Sequence, residues 1–255
     1  MLIRTLSAFF VLLILSSCAN NSSAQTFGFG CLGFVGGYGG YSYQKYQPGT
    51  LNDYIDNYNT VYNDSLPLPL GKFGKADGYR LGLNFFRAKF KGFIITAKGF
   101  YQNLSEEHDV KAYLSEGESN STLELEIRNW ALGIDLGTEI TDILSWKVVD
   151  AAVMFNNAKF TTTMNLPNAV TIVDQYKSES TSVGYTIGTG FILEVIGEYV
   201  SLEGVAAFTQ ITIDKMKTDD GRYFAALLEN SAPGKKFIEK GGFNAVIQLN
   251  VGLPL

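Results

Sequence analysis

From Gly242 to Leu253 the chain alternates without a break. Phe243, Ala245, Ile247, Leu249, Val251 and Leu253 lie on one side; Asn244, Val246, Gln248, Asn250 and Gly252 lie on the other. A period of two, apolar on one face and polar or small on the other, predicts a β-strand. A strand that ends a chain needs partners on both edges, and pairing with the first strand would close a barrel. The same period recurs upstream. Tyr79, Leu81, Leu83 and Phe85 oppose Arg80, Gly82 and Asn84 in a strand over Gly78–Arg87, and Phe93, Ile95, Ala97, Gly99 and Tyr101 oppose Ile94, Thr96, Lys98, Phe100 and Gln102 in the next. Val183, Tyr185, Ile187, Thr189, Phe191 and Leu193 oppose Ser182, Gly184, Thr186, Gly188, Gly190 and Glu194 in a third.

Two further strands are less regular. Over Thr122–Ile140, Leu123, Leu125 and Ile127 share a face, but Trp130, Leu132, Ile134 and Leu136 then take the opposite phase, which predicts either a β-bulge or a strand that runs on beyond its buried portion. Leu144–Thr163 sets Val149, Ala151, Val153 and Phe155 against Val148, Asp150, Ala152, Met154 and Asn156. A glycine-rich first strand at Thr26–Tyr46 and a strand at Tyr199–Asp214, whose phase is ambiguous, bring the expected number to eight. Long connections follow the first, third, fifth and seventh strands: Gln47–Lys75, Ser105–Ser121, Asn165–Glu179 and Lys215–Gly241. Tight turns at Ala88–Lys91, Thr141-Asp142 and Ile196–Glu198 follow the others. Within the first long loop Leu51, Tyr54, Ile55, Tyr58, Val61 and Tyr62 recur at helical spacing, with Thr50 placed to cap, before Leu66-Pro67-Leu68-Pro69 forbids regular structure. A helical turn is expected at Tyr223–Glu229.

Composition narrows the class. Charged residues make up 18% of the chain, below the roughly 25% of a soluble domain, and glycine and aromatics are plentiful. The formal charge of −5 gives no electrostatic case for nucleic acid or anionic lipid. Arg4 followed by Leu6–Leu15 reads as an export signal whose apolar run is too short to span a bilayer. Two processing sites compete: Leu15-Ser16-Ser17-Cys18, a lipobox that would leave Cys18 acylated, and Ser22-Ser23-Ala24, an ordinary signal-peptidase site. The strand pattern starts within two residues of Ala24, which favours residues 1–24 as signal and 25–255 as one β-domain. Cys31 then has no partner for an intramolecular disulfide. No later apolar run is long enough for a transmembrane helix.

Long loops on one rim, short turns on the other and an even strand number predict an all-β, eight-stranded antiparallel up-and-down transmembrane barrel. Aromatics near both strand ends fit: Phe93 to Tyr101 and Trp146 to Phe155 span on the order of 20–23 Å, close to an outer-membrane apolar band. A lipocalin-like carrier would turn the apolar rows inward and expose Gly184, Thr186, Gly188, Gly190, Ala131 and Gly133 to water, a poor soluble surface. Those residues suit a packed lumen. The lumen charges are then Arg80 and Lys98 against Asp135, Asp150, Glu194 and Glu203, which should pair and plug the interior without leaving a pore.

The export signal, the eight amphipathic strands and the glycine-rich FGFGCLGFVGGYGGYSY stretch resemble the small outer-membrane β-barrel (porin-like, opacity-type) family of Gram-negative bacteria. The resemblance covers the whole mature chain. It implies residence in the cell outer membrane among its lipids, handling by the barrel insertion machinery, a monomer, periplasmic termini and extracellular long loops. In the family the last strand usually ends in an aromatic residue; here it ends Leu253-Pro254-Leu255, and Phe243 lies too early to substitute.

Little points to chemistry. Some such barrels modify lipids with a His and a Ser or acid near the outer rim. The lone His108 sits among Ser105, Glu106, Glu107 and Asp109 in an expected surface loop, without a His-x-Ser arrangement. Gly28-x-Gly30-x-x-Gly33 lacks the following helix that a dinucleotide site needs. No metal site or cofactor is expected, although the acidic run Ser105–Glu118 could hold Ca²⁺ weakly. Asp64-Ser65-Leu66 matches a short bacterial O-glycosylation pattern. The tyrosines of the first loop (Tyr54, Tyr58, Tyr62) and Tyr223 and Phe224 of the last are expected as surface contacts. A structural or adhesive role toward an extracellular protein or glycan therefore leads, ahead of a lipid-modifying enzyme and a lipobox-anchored carrier.

Overall fold

The computed structural model describes residues 36–90, 92–114, 117–167, 171–197, 199–224 and 235–252. The export signal, Cys18, Cys31, most of the expected turn at 223–229 and Leu253-Pro254-Leu255 lie outside them. In chain order the elements are β1 (Gly36–Lys45), β2 (Gln47–Pro48), α1 (Thr50–Val61), β3 (Lys75–Phe90), β4 (Phe93–Leu114), β5 (Gly117–Glu139) and β6 (Leu144–Asn165). There follow β7 (Ile172–Ser178), β8 (Ser182–Ile196), β9 (Val200–Gln210), β10 (Met216–Lys217), β11 (Ile238–Lys240) and β12 (Gly242–Gly252). Eight strands close a barrel in the order β1, β3, β4, β5, β6, β8, β9, β12, every neighbour antiparallel. The seal joins the first and last: β1 pairs with β12 from Gly36↔Gly252 to Gln44↔Asn244. Glycine lets the wall fill its own interior. A Cβ on Gly82 would lie 2.2 Å from the Tyr38 ring, which occupies that space inside the lumen.

β3, β4, β5 and β6 run longer than the sequence predicts, while β9 is shorter than the expected Tyr199–Asp214. Ser105–Ser121 is not a loop: β4 runs on to Leu114 and β5 starts at Gly117, with the pairing unbroken from Leu114↔Gly117 to Phe93↔Thr138. Of the two readings of the phase switch near Ile127–Trp130, the bulge is therefore not the one formed: the strand runs on, past the apolar belt rather than past its buried side. The side of β5 that carries Ser119, Ser121, Leu123, Leu125, Ile127, Asn129, Ala131 and Asp135 is buried along its whole length. What reverses is the medium outside. Toward the hairpin the outward residues are Glu124, Glu126 and Arg128 and the inward ones apolar; past Asn129 the outward residues are Trp130, Leu132, Ile134 and Leu136 and the inward ones polar or small. A wall that passes from water into hydrocarbon must exchange its polar and apolar faces at the boundary, with no change of register.

The real bulge lies lower. Register shifts at Leu136/Gly137 against Val149/Lys147, and again between Lys147 and Asp150 against β8, so Val148 and Val149 together occupy one step. Asn165–Glu179, expected as a loop, contains β7, which takes over the upper edge of β6 and in turn pairs with β10. The ambiguous phase of β9 resolves with Glu203, Val205, Ala207 and Thr209 inward. The helix forms as its period predicted, but Gly49 rather than Thr50 is its N-cap. The N–H groups of Gly49 and Thr50 donate to Phe237 O and Lys236 O, both at 2.9 Å.

The barrel thus has two interiors. At the end of the short turns the lumen is polar. At the other end the prolonged strands, α1 and residues 211–224 and 235–240 enclose a lobe with an apolar core that includes Leu51, Ile55, Phe73, Leu104, Leu125, Ile127, Phe160, Phe224 and Phe237.

Candidate functional site: the plugged lumen and the lobe above it

In the lumen Lys98 reaches Asp135 at 2.7 Å and Asp150 at 2.5 Å. Lys147 reaches Asp135 at 2.8 Å and Asp150 at 3.3 Å, and it also binds Glu203. Every one of these side chains is buried. Arg80 joins without an ion pair: its Nε and Nη2 donate to Gln102 Oε1 at 2.9 and 2.7 Å, and its guanidinium lies 4.1 Å from the centre of the Phe100 ring. Arg80, Lys98 and Lys147 thus face Asp135, Asp150 and Glu203, and the buried charges cancel. Above them Ser42 donates to Gln102, Gln102 to Asn129, Asn129 to Asn156, and Asn156 to the Ser182 carbonyl, a belt across five strands.

Two lumen assignments change. Glu194 is only half-buried near the short-turn end and makes none of these ion pairs; β8 has already reached the rim there, where Glu194 N–H bonds Ile143 O. Lys147, the centre of the network, is absent from the sequence reading because strict alternation placed Val148 with Asp150. The signal was present: two apolar residues in a row, Val148-Val149, between two charges cannot keep a period of two, and the bulge turns both charges inward.

Outside the polar lumen the wall is apolar. Tyr41, Tyr79, Tyr101, Trp130, Phe155, Tyr185, Phe208 and Phe243 supply one outward aromatic from each barrel strand. Their register steps in one direction around the wall, as the strand tilt of a closed barrel requires. Phe85, Phe86, Phe93, Trp146, Phe191 and Tyr199 face outward toward the other end. Leu81, Leu83, Leu132, Ile134, Ile187, Leu249 and other exposed apolar residues fill the belt between. Two aromatic girdles about an apolar belt, around a closed and ion-filled interior, decide the class. The chain folds as a closed eight-stranded β-barrel of the outer-membrane type. The apolar rows are exposed on the outside of the barrel, so the lipocalin-like arrangement, with those rows inward, is not the one these strands form.

Neither a protein-family model nor a curated protein matches the sequence. Among solved structures the chain is similar to the attachment invasion locus protein Ail of Yersinia pestis, in complex with the heparin analogue sucrose octasulfate (7% identity, TM-score 0.39, 86% of this chain and 98% of that one). It is also similar to Neisserial surface protein A (11% identity, TM-score 0.38, 87% and 99%).

The lobe of this barrel is organised around Glu106. Its Oε2 accepts from Tyr46 Oη at 2.6 Å, Gly74 N at 3.0 Å and Lys75 N at 2.8 Å, while Oε1 lies 3.0 Å from His108 Nε2. Burial first, then the adjoining carboxylate, push the Tyr46 hydroxyl far above its ordinary range, so it stays a donor. His108 packs against the Phe73 ring at 4.5 Å. Ser105 Oγ lies on the other face, 3.4 Å from Glu124, so the expected neighbours do not form a His–Ser pair. Asn59 and Asn52 of α1 clamp the returning strap through both their amide atoms, Asn59 on Leu70 and Asn52 on Phe73. Lys235 holds Asp53 at 2.6 Å, and β2 pairs with β11, fastening the first connection to the last.

The expected contact tyrosines divide. Phe224 is fully buried, its ring 5.3 Å from Tyr54 and 5.4 Å from Phe160, and Tyr58 is buried in the same core; these two are core rather than surface. Tyr54 is partly buried against that core, and burial followed by the neighbouring Tyr58 raises its pKa to about 12. Tyr62 and Tyr223 are exposed. Helical spacing marked the first loop's aromatics correctly as one face, but an amphipathic face beside another apolar surface is covered. Tyr62 is exposed, as are Val61, Leu68 and Tyr113, and Tyr113 N–H bonds Ser65 O at 2.8 Å. Among the described residues no three His, Cys, Asp or Glu side chains cluster to hold a metal.

Proposed function

We propose that this protein displays a folded lobe on the outer face of the outer membrane for contact with an extracellular protein or glycan, on a barrel whose lumen conducts nothing. The observation that carries the reading is the division of the inside: an ion-paired plug within the membrane belt and a separate apolar core beyond it. Such a core holds a surface in place without enclosing a substrate. In this reading the lobe is extracellular, while the short turns and both ends of the described barrel, Gly36 and Gly252, face the periplasm. We assign no reaction, since the acid and histidine of the lobe are engaged in holding its strap.

The test uses the intact protein in the outer membrane of a non-adherent Gram-negative host. Cells that carry it should be retained on an array of immobilised extracellular proteins and glycans. Protease added to intact cells should cut the lobe, and Leu68→Asp and Tyr113→Asp should reduce retention. A lobe shielded from protease on intact cells, or cells retained nowhere, would overturn the reading. Lipid A from cells with and without the protein should have the same mass spectrum; a changed acyl pattern would establish catalysis instead.

A further inference from the structure

Asp64-Ser65-Leu66 is a sequence pattern that neither the barrel nor the proposed contact role uses. Of all the aspartates in the chain, Asp64 alone is followed by serine or threonine. Its place in the fold decides what such a triplet can do. α1 ends at Val61, and residues 62–65 form the turn after it, ahead of Pro67 and Pro69. Asn63, Asp64 and Ser65 suit that turn, since short polar side chains compete for the backbone there.

The main chain of Ser65 is fixed on both sides. Its N–H donates to Tyr62 O at 2.9 Å, and its carbonyl accepts from Tyr113 N–H at 2.8 Å. Its side chain is not fixed. The hydroxyl has no hydrogen-bond partner among the described residues, and it is not one of the buried polar groups left unpaired, so it reaches water. A serine in a turn often bends its hydroxyl back onto the backbone; this one leaves it free to react. Asp64 is exposed beside it, and its carboxylate accepts from the Asn63 amide at 3.5 Å. The rings of Tyr62 and Tyr113, the two residues bonded to Ser65, are exposed as well. A tyrosine ring offers an apolar face with a polar tip, which suits the C–H face of a sugar. Leu66, by contrast, is partly buried against the lobe core. An enzyme that reads all three residues must therefore meet them before the lobe closes, while the chain is being exported.

We infer that Ser65 is an O-glycosylation site, modified during export. The donor is a glycan carried on a polyprenyl diphosphate. A bond forms between Ser65 Oγ and the anomeric carbon of that glycan. The bond from this carbon to the diphosphate breaks, the diphosphate leaves with the electron pair, and the hydroxyl proton passes to a base of the transferase. Asp64 is the charge by which the transferase recognises the site. The finished glycan is a bulky, solubilising group on an exposed turn of the lobe. A sugar at Ser65 requires only an exported chain, and so stands apart from the proposed contact role.

The test takes the protein from the outer membrane of the organism that makes it. After digestion, the peptide that contains Asn63–Leu66 should exceed the mass of its sequence by whole sugar residues, and fragmentation should place them on Ser65. Ser65→Ala and Asp64→Ala should each lose the added mass, while Ser65→Thr, which keeps a hydroxyl, should retain it. The heat-modifiable gel shift should be the same in all three variants, so that a lost sugar is not a lost barrel. A peptide of unmodified mass, or a sugar that survives either alanine substitution, would overturn the site. Retention of cells on the array plays no part in this result, so either reading can fail alone.

Discussion

At the scale of single residues the lumen depends on Lys147. It contacts Asp135, Asp150 and Glu203, so its loss leaves Lys98, among the described residues, as the one cation ion-paired to buried Asp135 and Asp150, and leaves Glu203 with none. Removing one partner from a buried pair costs about 3–5 kcal/mol, because the charge left behind stays buried. Lys147→Met should therefore lower stability by that order in urea unfolding of the lipid-reconstituted protein. Adding Glu203→Gln should recover part of the loss; if the double variant is no more stable than the single one, the network is not the cause. Arg80, Lys98, Asp135, Asp150 and Glu203 were legible in the sequence because alternation with a polar face gives the lumen side directly. Lys147 was not, because a single bulge reverses the assignment of everything beyond it and alternation is blind to where the bulge falls. Glu194 failed for a different reason: its phase is right, but phase carries no information about depth.

At the scale of elements, β5 shows why loops were read where strands run. Above the membrane its outward side chains are Glu, Thr and Arg, and a charged run such as Ser105–Glu118 resembles a loop when hydrophobic content is the criterion. The inward alternation of β4 (Leu104, Val110, Ala112) and of β5 (Leu123, Leu125) was present all along. The helix was legible from its period, but its cap was not, since Gly49 is satisfied by the distant 236–237 backbone. Ile55 on α1 is fully buried in the lobe. Ile55→Ala should weaken the lobe by about 2–5 kcal/mol, measured as faster proteolysis or exchange at 46–75, while the heat-modifiable gel shift of the barrel is unchanged. Loss of that shift would show that the two cores fold as one. Tyr54, on the same helix, links the lobe to pH. Its folded pKa of about 12 lies above the ordinary value of about 10, so folding favours the neutral phenol. That contribution is present below about pH 10 and is lost as pH rises toward 12. Lobe resistance to protease should hold to about pH 10 and fall beyond it. Tyr54→Phe should fall less steeply, and an identical alkaline profile for the two proteins would refute the assignment.

At the scale of the whole molecule, closure was legible from strand number and from the alternation at the last strand. The height of the wall was not, because a sequence read for one medium cannot show a strand crossing two. The exchange of faces fixes where the membrane lies, and the chain carries its own reporters. The sequence has two tryptophans, and both point outward: Trp130 in the girdle next to the lobe, and Trp146 at the short-turn end, where it shares a level with Thr138. From Trp130 to Thr138 along β5 is roughly 20 Å of tilted strand, so the two indoles mark opposite boundaries of one leaflet pair. Both are exposed in the protein alone, and Trp146 Nε1 donates to Thr189 at 2.9 Å, which leaves the ring face free to the lipid. In vesicles of brominated lipid their fluorescence should be quenched more by bromine placed near the headgroup than near the chain end, and aqueous iodide should quench weakly. Trp130→Phe and Trp146→Phe should each retain that depth preference, since each leaves one boundary reporter. Strong iodide quenching with no response to either bromolipid would place the apolar belt in water, and the reading of the lobe as the part that meets the outside would go with it.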